Sequence, residues 1–299
     1  MLQVLTHNIL PVFAMLALGF ALGRMNWATQ DEARAVNRIA FLVLQPPLIY
    51  MLLTSLDMAS IRFDAIALYF AAEVILFLVA FALARFGFRC DSGEAFLLAM
   101  CVVFVNSLLY VGPISVLIYG AAGALPITVI VALDASVWFA FFIIGMELIT
   151  GQEGAKAALP RIVKNPVLIT IVLALAINLA AIPTPVPLQN AFQFAGAAAA
   201  PMVLFALGVV LSSHSFSATA PVVGISALKL LGLPLVVWSA FQVFSPENPW
   251  SGLFTMNASG PAGAMAFSLA MLYGVRTDRI APVIICTSVL SLFSLAYLA

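Results

Sequence analysis

Long apolar segments follow one another through the whole of this chain, with only short connections between them. Each is about 20 residues long, which is the length a helix needs to cross the hydrocarbon core of a bilayer. A window of about 19 residues separates ten of them. We therefore predict an all-α polytopic membrane protein with ten transmembrane helices. The predicted spans cover residues 4–23, 35–55, 65–84, 95–118, 127–149, 165–182, 189–212, 218–243, 251–273 and 278–298.

The composition excludes several other classes of protein. Of the 299 residues, 64% are hydrophobic and 8% are charged, against roughly 25% charged residues in soluble domains. Because 12 basic residues balance 12 acidic ones, the chain has no charge excess with which to bind nucleic acid. The three cysteines lack paired spacing and the two histidines are far apart in sequence, so neither a metal site nor a disulfide framework is expected. No motif indicates a cofactor.

The distribution of Lys and Arg predicts how the chain is oriented. No basic residue precedes the first apolar segment, which favours a first membrane helix over a cleaved signal peptide. Ten of the basic residues lie in or beside the connections after spans one, three, five and nine, while Arg62 lies on the opposite side and Lys229 lies inside span eight. Because cationic loops stay in the cytoplasm, both termini are expected on the other face of the membrane.

Landmarks in the first half of the chain recur in the second half at a near-constant spacing. Pro11 and Pro166 are 155 residues apart, and so are Pro46 and Pro201. The Tyr-Gly pairs that begin at positions 119 and 273 are 154 apart, and the prolines at 126 and 282 are 156 apart. This spacing indicates an internal duplication.

The duplication predicts two five-helix repeats, residues 1–155 and residues 156–299. Because five spans is an odd number, the second repeat must enter the membrane from the opposite face. Inverted repeats of this kind are typical of secondary transporters, whose substrate binds near the midplane between interrupted helices. The sequence therefore predicts one interrupted helix in each half.

Spans four and nine carry the residues that interrupt helices. Proline removes a backbone donor and glycine adds backbone freedom, and a Gly-Pro pair lies well inside each of these spans, with an Asn before it. Unpaired backbone N–H groups at such a break favour an anion, and Asn and Ser side chains supply neutral hydrogen bonds. A simple proline kink is the alternative. The candidate substrate-binding residues are Asn106, Ser107, Gly112, Pro113, Asn257, Ser259, Gly260 and Pro261.

Three ionisable residues lie inside the predicted spans, namely Glu73 in span three, Asp134 in span five and Lys229 in span eight. Charges at such depth are costly and mark an ion path or a functional pair. Two acids and one base leave one negative charge unmatched, so desolvation favours one protonated carboxyl group, as a proton-coupled carrier would use. The alternative is that Lys229 pairs structurally with one of the acids.

Further residues form a recognisable pattern along the chain. They are Asn106, Gly112-Pro113 and Tyr119-Gly120 in span four, Asn165-Pro166 before span six, Pro201, Leu204 and Leu207-Gly208 in span seven, Lys229 and Pro234 in span eight, and Thr287-Ser288 and Ser291-Leu292 in span ten.

This pattern resembles the auxin efflux carrier family, which includes plant auxin exporters and bacterial malonate and malate permeases. The resemblance implies a scaffold bundle of spans one, two, six and seven, and a moving transport bundle of spans three to five and eight to ten in which helices four and nine cross. It also implies elevator-like alternating access and a homodimer. The missing hydrophilic central loop favours a compact carrier of the bacterial inner membrane. Ser107 and Ser259-Gly260-Pro261 depart from the residues common in the family, which affects the expected substrate more than the fold.

The expected function is therefore the secondary transport of small organic anions, such as mono- or dicarboxylates, coupled to protons. A sodium-coupled symporter of related architecture and a uniporter are the alternatives. An intramembrane enzyme would need a nucleophile with a base, paired carboxylates or a metal cluster, and the sequence has no motif for any of these. No enzymatic activity is expected.

Overall fold

A computed structural model describes residues 10–56, 61–151, 160, 162–213 and 218–298. Within these ranges the chain is helical and contains no β-strand, which confirms the all-α prediction. The start of the first predicted span, Lys156 and Arg161 lie outside the described residues. In chain order the helices are α1 Leu10–Arg24, α2 Gln30–Thr54, α3 Phe63–Gly87, α4 Ser92–Val103, α5 107–123, α6 Leu125–Thr150, α7 Pro166–Leu179, α8 Val186–Ser212, α9 Ala220–Phe244, α10 Ser251–Ala258, α11 Met265–Leu272 and α12 Ile280–Leu298.

Five of these helices are long and apolar enough to cross a membrane, namely α2, α3, α6, α8 and α9, with 25 to 27 residues each. At 1.5 Å per residue such a helix exceeds the roughly 30 Å of the hydrocarbon core. The shorter apolar helices include α4, α7 and parts of α1 and α12. The structure thus supports a multi-pass membrane protein.

A widened π-helical turn precedes a proline in α2, α5 and α9. The turns Ala40–Leu44, Ser107–Val111 and Leu228–Gly232 are each followed, two residues after they end, by Pro46, Pro113 and Pro234. Proline cannot donate to the carbonyl four residues earlier, and its ring clashes with that carbonyl. Inserting one extra residue into the turn is a known way to absorb such a clash. The helices therefore continue through these prolines.

Helix α1 packs closely along the second half of α8. The contact depends on glycine, because a Cβ atom on Gly19 would lie 2.1 Å from the backbone oxygen of Phe205, and one on Gly208 would lie 2.1 Å from that of Leu16. Small residues let membrane helices approach in this way. Helix α7 packs against the second half of α2, which also contacts the first part of α8.

Two non-helical segments lie side by side in the interior. Residues 104–106 separate α4 from α5, and residues 259–264 separate α10 from α11. An isolated antiparallel bridge pairs Val105 with Ala262. Within it the amide of Asn106 donates to the oxygen of Pro261 at 2.9 Å, and the amide of Gly263 donates to the oxygen of Phe104 at 2.7 Å. These bonds satisfy backbone groups that water cannot reach.

Candidate functional site

A cavity of about 80 Å³ lies beside the two helix breaks. Residues of α2 and α8, of the two break segments, of the start of α5 and α11 and of the middle of α6 line it together. Since a water molecule occupies about 30 Å³ of liquid, the cavity has room for a molecule of a few heavy atoms. Its polar lining residues are Gln45, Asn106, Ser107 and Asp134.

The start of α5 lies beside this cavity. The backbone oxygen of Asn106 accepts from the amides of Tyr110 and Val111, and Asn106 makes no side-chain cap bond to α5. The first amides of a helix have no partner within it and carry its positive dipole end. Ser107 and Leu108 supply such amides and line the cavity. An anionic group is therefore favoured here.

The carboxylate of Asp134 lies next to this helix start. Ser107 Oγ donates to Asp134 Oδ2 at 3.4 Å, and the aspartate side chain is buried. Asp134 is the first residue of a π-helical turn in α6, a feature that often occurs at functional sites. A buried acid thus lies in the wall of a cavity that also offers amide donors.

The second break contributes to the cavity through Gly263 and Ala264, and the predicted residues of span nine lie behind that wall. Asn257 Nδ2 donates to Tyr69 Oη at 2.9 Å. Ser259 Oγ donates to the backbone oxygen of Thr255 at 2.9 Å. Because Asn257 and Ser259 are buried and engaged with the protein, their direct role in binding remains only a prediction.

Glycine is required at position 260. A Cβ atom there would lie 2.4 Å from Val111 Cγ2 and 3.0 Å from Val105 Cγ1. Gly260 and Pro261 thus allow the two break segments to approach each other, and neither lines the cavity.

The break in span four lies upstream of the predicted position. The sequence pattern predicted it at Gly112-Pro113, whereas the helix is interrupted at 104–106 and both of these residues lie within α5. The π-helical turn before Pro113 accounts for the difference, because it accommodates the proline within the helix, whose backbone angles are next non-helical at Gly120. Gly112 does not line the cavity. In span nine, by contrast, Gly260 and Pro261 lie in the non-helical segment as expected.

Glu73 and Lys229 form a second polar group deeper in the protein. Glu73 Oε2 accepts from Trp138 Nε1 at 2.6 Å, and Lys229 Nζ donates to the backbone oxygen of Ala258 at 2.7 Å. Both side chains are fully buried. Among the described residues no direct ion pair joins Lys229 to Glu73 or Asp134, although the three charges act on one another electrostatically.

The position of Lys229 explains how a buried cation is tolerated. Ala258 is the last residue of α10, where the helix dipole is negative and carbonyl groups lack partners. Glu73 and Lys229 are 156 residues apart, which is the spacing of two of the repeated prolines. Two positions at the spacing of the predicted duplication thus carry opposite charges.

Three residues of this region, Gln45, Tyr69 and Trp138, had no role in the sequence prediction, and Thr287 entered it only through the family resemblance. Thr287 Oγ1 accepts a hydrogen bond from the amide of Ala262 at 3.1 Å. It thus gives a partner to a backbone N–H group in the second break. Tyr69 accepts a hydrogen bond from Asn257, and Trp138 donates one to Glu73. The one available signal was Gln45, a polar side chain in an otherwise apolar segment next to Pro46.

An all-helical membrane protein with a small, mainly apolar cavity that carries a few polar side chains beside two helix breaks has the architecture of a membrane transporter. The chain belongs to the membrane transport protein family, the auxin efflux carrier family, whose model matches residues 4–299.

Three relatives show the extent of the similarity. The "Putative malonate transporter" of Rhizobium meliloti is 25% identical over 296 residues, which cover 96% of this chain and 92% of that protein. An uncharacterized transporter of Methanothermobacter thermautotrophicus is 25% identical over 296 residues, covering 97% and 96%. The uncharacterized transporter YfdV of Escherichia coli K12 is 27% identical over 252 residues, covering 79% and 78%.

Proposed function

We propose that this chain is a secondary active transporter that moves small organic anions across the bacterial inner membrane, with protons as the coupling ion and no enzymatic activity. The observation that carries the proposal is the cavity of about 80 Å³ that α2, α8 and the two helix breaks line together. In secondary transporters the substrate site lies at such helix breaks, between bundles that move against each other.

A carboxylate is the anion that this site suits best. The amides at the start of α5 and the Asn106 side chain offer hydrogen bonds to one anionic group. No Arg or Lys among the described residues lines the cavity, so a phosphate with two charges would lack a counter-charge. The name of the Rhizobium meliloti relative makes malonate the first candidate.

Proton coupling is supported by the location of the buried acids. Asp134 lies in the cavity wall, and Glu73 and Lys229 act on it electrostatically. A proton on Asp134 would remove the negative charge that faces the bound carboxylate. Binding of the anion and of the proton would then favour each other, which is the thermodynamic requirement for symport.

Inverted repeats and elevator-like movement complete the proposal. Gly120 and Gly274, which are 154 residues apart, both adopt left-handed backbone angles, with φ of 72° and 67°. The bridge residues Val105 and Ala262 are 157 apart, close to the same spacing. The packing of α1 on α8 and of α7 on α2 supports a scaffold of spans one, two, six and seven. A homodimer formed through this scaffold, with both termini periplasmic, belongs to the same proposal.

Uptake into proteoliposomes of the purified protein tests the function. Labelled malonate, malate and an indole-type monocarboxylate are offered with and without an imposed pH gradient, in sodium-free buffer. We expect one class of acid to accumulate only under the gradient. Flux that ignores the gradient would overturn proton coupling and leave a uniporter, and accumulation that requires sodium in place of choline would replace the proton by sodium. No flux of any carboxylate would overturn the substrate class.

A further inference from the structure

A second cavity lies between the first half of α2 and the end of α11. Its volume is about 440 Å³, against about 80 Å³ for the cavity beside the helix breaks. Helix α2 contributes Arg34, Arg38 and Leu42 to its lining, and α11 contributes Met271 and Leu272. We call this cavity the α2–α11 crevice. It lies at the end of the helices that the distribution of Lys and Arg predicts to be cytoplasmic.

Two arginines give the α2–α11 crevice a positive charge. Arg34 and Arg38 are four residues apart in α2, so they lie on the same face of the helix. Like charges at this spacing destabilise a helix, and no acidic residue among those described lines the crevice. Arg34 makes an ion pair with Asp31 at 3.3 Å, in which both side chains are exposed, and such pairs contribute little. The crevice therefore favours an anion.

Arg38 lies at the border of the apolar part of α2. It is exposed, and within the described part of the chain its guanidinium group makes neither a hydrogen bond nor an ion pair. It belongs to the predicted span 35–55, and residues 39–44 after it are all apolar. A cation at such a position is costly without a counter-charge, and its long side chain extends towards the membrane surface. An anion at the level of the lipid headgroups would supply the counter-charge.

The surface of α2 beside the crevice is apolar and exposed. Ile39 is 50% exposed and Val43 is 59% exposed, and they follow Arg38 by one and five residues along the helix. Just before α2, Trp27 is 73% exposed, and tryptophan is typical of the membrane–water interface. The two arginines thus lie between a residue that marks the interface and a surface that suits acyl chains.

We propose that the α2–α11 crevice binds an anionic phospholipid such as phosphatidylglycerol, with the phosphate group between Arg34 and Arg38. The acyl chains lie along Ile39 and Val43. Basic pockets between membrane helices bind anionic headgroups in this way. A soluble anion would satisfy the arginines, but only a lipid would also cover the apolar surface beside them.

The bound lipid would contact both helices of the crevice. In the proposed function α2 belongs to the scaffold and α11 to the transport bundle, so this lipid site lies where the two bundles meet. The lipid site itself requires only that the protein lies in a membrane, and it does not depend on which molecule is transported.

Melting of the purified full-length protein in an uncharged detergent tests the proposal. Phosphatidylglycerol or phosphatidylcholine is titrated into the micelles, because a ligand that binds only the folded protein raises its melting temperature. We expect phosphatidylglycerol to act at a concentration at least about fivefold lower, since each arginine near the membrane surface favours an anionic lipid by about 1 kcal/mol. Equal action of the two lipids would overturn the proposal.

The substitution Arg38→Gln assigns the preference to the crevice. We expect the apparent affinity for phosphatidylglycerol to fall about fivefold, with the response to phosphatidylcholine unchanged. Arg89→Gln is the matched control, because Arg89 is also exposed and lies on the same predicted side of the membrane but does not line the crevice. This control should keep the full affinity. An equal loss in both variants, or no loss in Arg38→Gln, would overturn the crevice as the site.

Two further measurements complete the test. Glycerol phosphate carries the phosphate group without acyl chains, and we expect it not to displace phosphatidylglycerol when the two are equally concentrated. Displacement at equal concentration would overturn the lipid as the occupant and leave a site for soluble phosphates. If Arg38→Gln does not fold, Arg34→Gln takes its place with the same expected loss, since the Arg34 side chain is 61% exposed. Transport enters none of these measurements, so their failure would leave the proposed function intact.

Discussion

Asn37 and Ser268 exchange two hydrogen bonds in the interior of the protein. Asn37 Nδ2 donates to the backbone oxygen of Ser268 at 3.0 Å, and Ser268 Oγ donates to Asn37 Oδ1 at 2.8 Å. Both side chains are buried. The pair joins α2, which belongs to the proposed scaffold, to α11, which belongs to the proposed transport bundle. Any sliding of one bundle against the other must break both bonds.

The first prediction concerns the strength of this contact. We expect a double-mutant cycle of Asn37→Ala and Ser268→Ala to give a coupling free energy of about 0.5 to 1.5 kcal/mol in the free energy of unfolding. A denaturing detergent titration measures it. Asn37→Ala combined with Ser136→Ala is the control, because the Ser136 hydroxyl bonds within its own helix, and these two effects should add. Additivity in the first cycle would contradict the predicted contact.

A second prediction tests the anion end of the cavity. Asn106→Ala should lower carboxylate uptake by about tenfold or more, since it removes a hydrogen bond to a charged group at the binding site, which is worth about 1.5 to 3 kcal/mol. Membrane insertion and thermal stability should change little. The exposed residue Asn190 provides the control, and Asn190→Ala should transport normally. Normal uptake by Asn106→Ala would remove this residue from the site.

The third prediction concerns coupling. In Asp134→Asn or Glu73→Gln, the neutral side chain cannot bind and release a proton. We expect at least one of these variants to lose pH-dependent accumulation while it still exchanges labelled for unlabelled substrate at equal pH. Counterflow measured beside net uptake separates the two processes. If both variants concentrate substrate under a pH gradient as well as the unmodified protein does, neither acid carries the coupling proton.

The fourth prediction follows from the burial of Lys229. Lys229→Met should destabilise the protein by about 3 to 5 kcal/mol, because removing one member of a buried set of charges leaves the others uncompensated. Adding Glu73→Gln should recover part of that loss, since it removes one of the uncompensated negative charges. Melting curves of the two proteins in the same detergent measure the difference. Equal melting of Lys229→Met and the unmodified protein would mean that Lys229 compensates no buried charge.

The fifth prediction concerns the packing of α1 on α8. Gly208→Ala should cost about 1 to 3 kcal/mol, because the new Cβ atom would lie 2.1 Å from a backbone oxygen and the helices would have to separate. Gly252→Ala is the matched control, as no heavy atom lies within 4 Å of the position of its Cβ atom. That change should be neutral or slightly stabilising, since alanine favours a helix more than glycine does. Equal loss of stability in both variants would show that α1 and α8 do not meet at Gly208.

Apolar length and Gly-Pro spacing predicted the helical class and the location of the break at Gly260-Pro261. The same reasoning located the other break wrongly, because Gly112-Pro113 is the same pair of residues as Gly260-Pro261. Only the π-helical turn before Pro113 lets α5 continue past this proline. The partners of the candidate residues were also beyond prediction. The bond of Asn257 to Tyr69 and that of Ala262 to Thr287 depend on which helices become neighbours, and helix periodicity does not specify this.

Gln45 also shows that the sequence does not specify which residues become neighbours. A single glutamine in an apolar span is visible in the sequence, yet nothing there shows that Asp134, from another helix, lines the same cavity. Lys229 is similar, since its charge was recognised as functional or paired, whereas its actual partner is the backbone oxygen of Ala258. Side-chain chemistry was readable from the sequence, and pairing was not.

The joint between the two helix breaks consists of main-chain groups, since Asn106 bonds to Pro261 and Gly263 bonds to Phe104 through amides and carbonyls alone. Mutations that exchange the neighbouring side chains can therefore alter what the cavity accepts without dismantling the joint. Carriers that descend from one ancestor can in this way change their substrate while they keep the same main-chain joint between the two helix breaks.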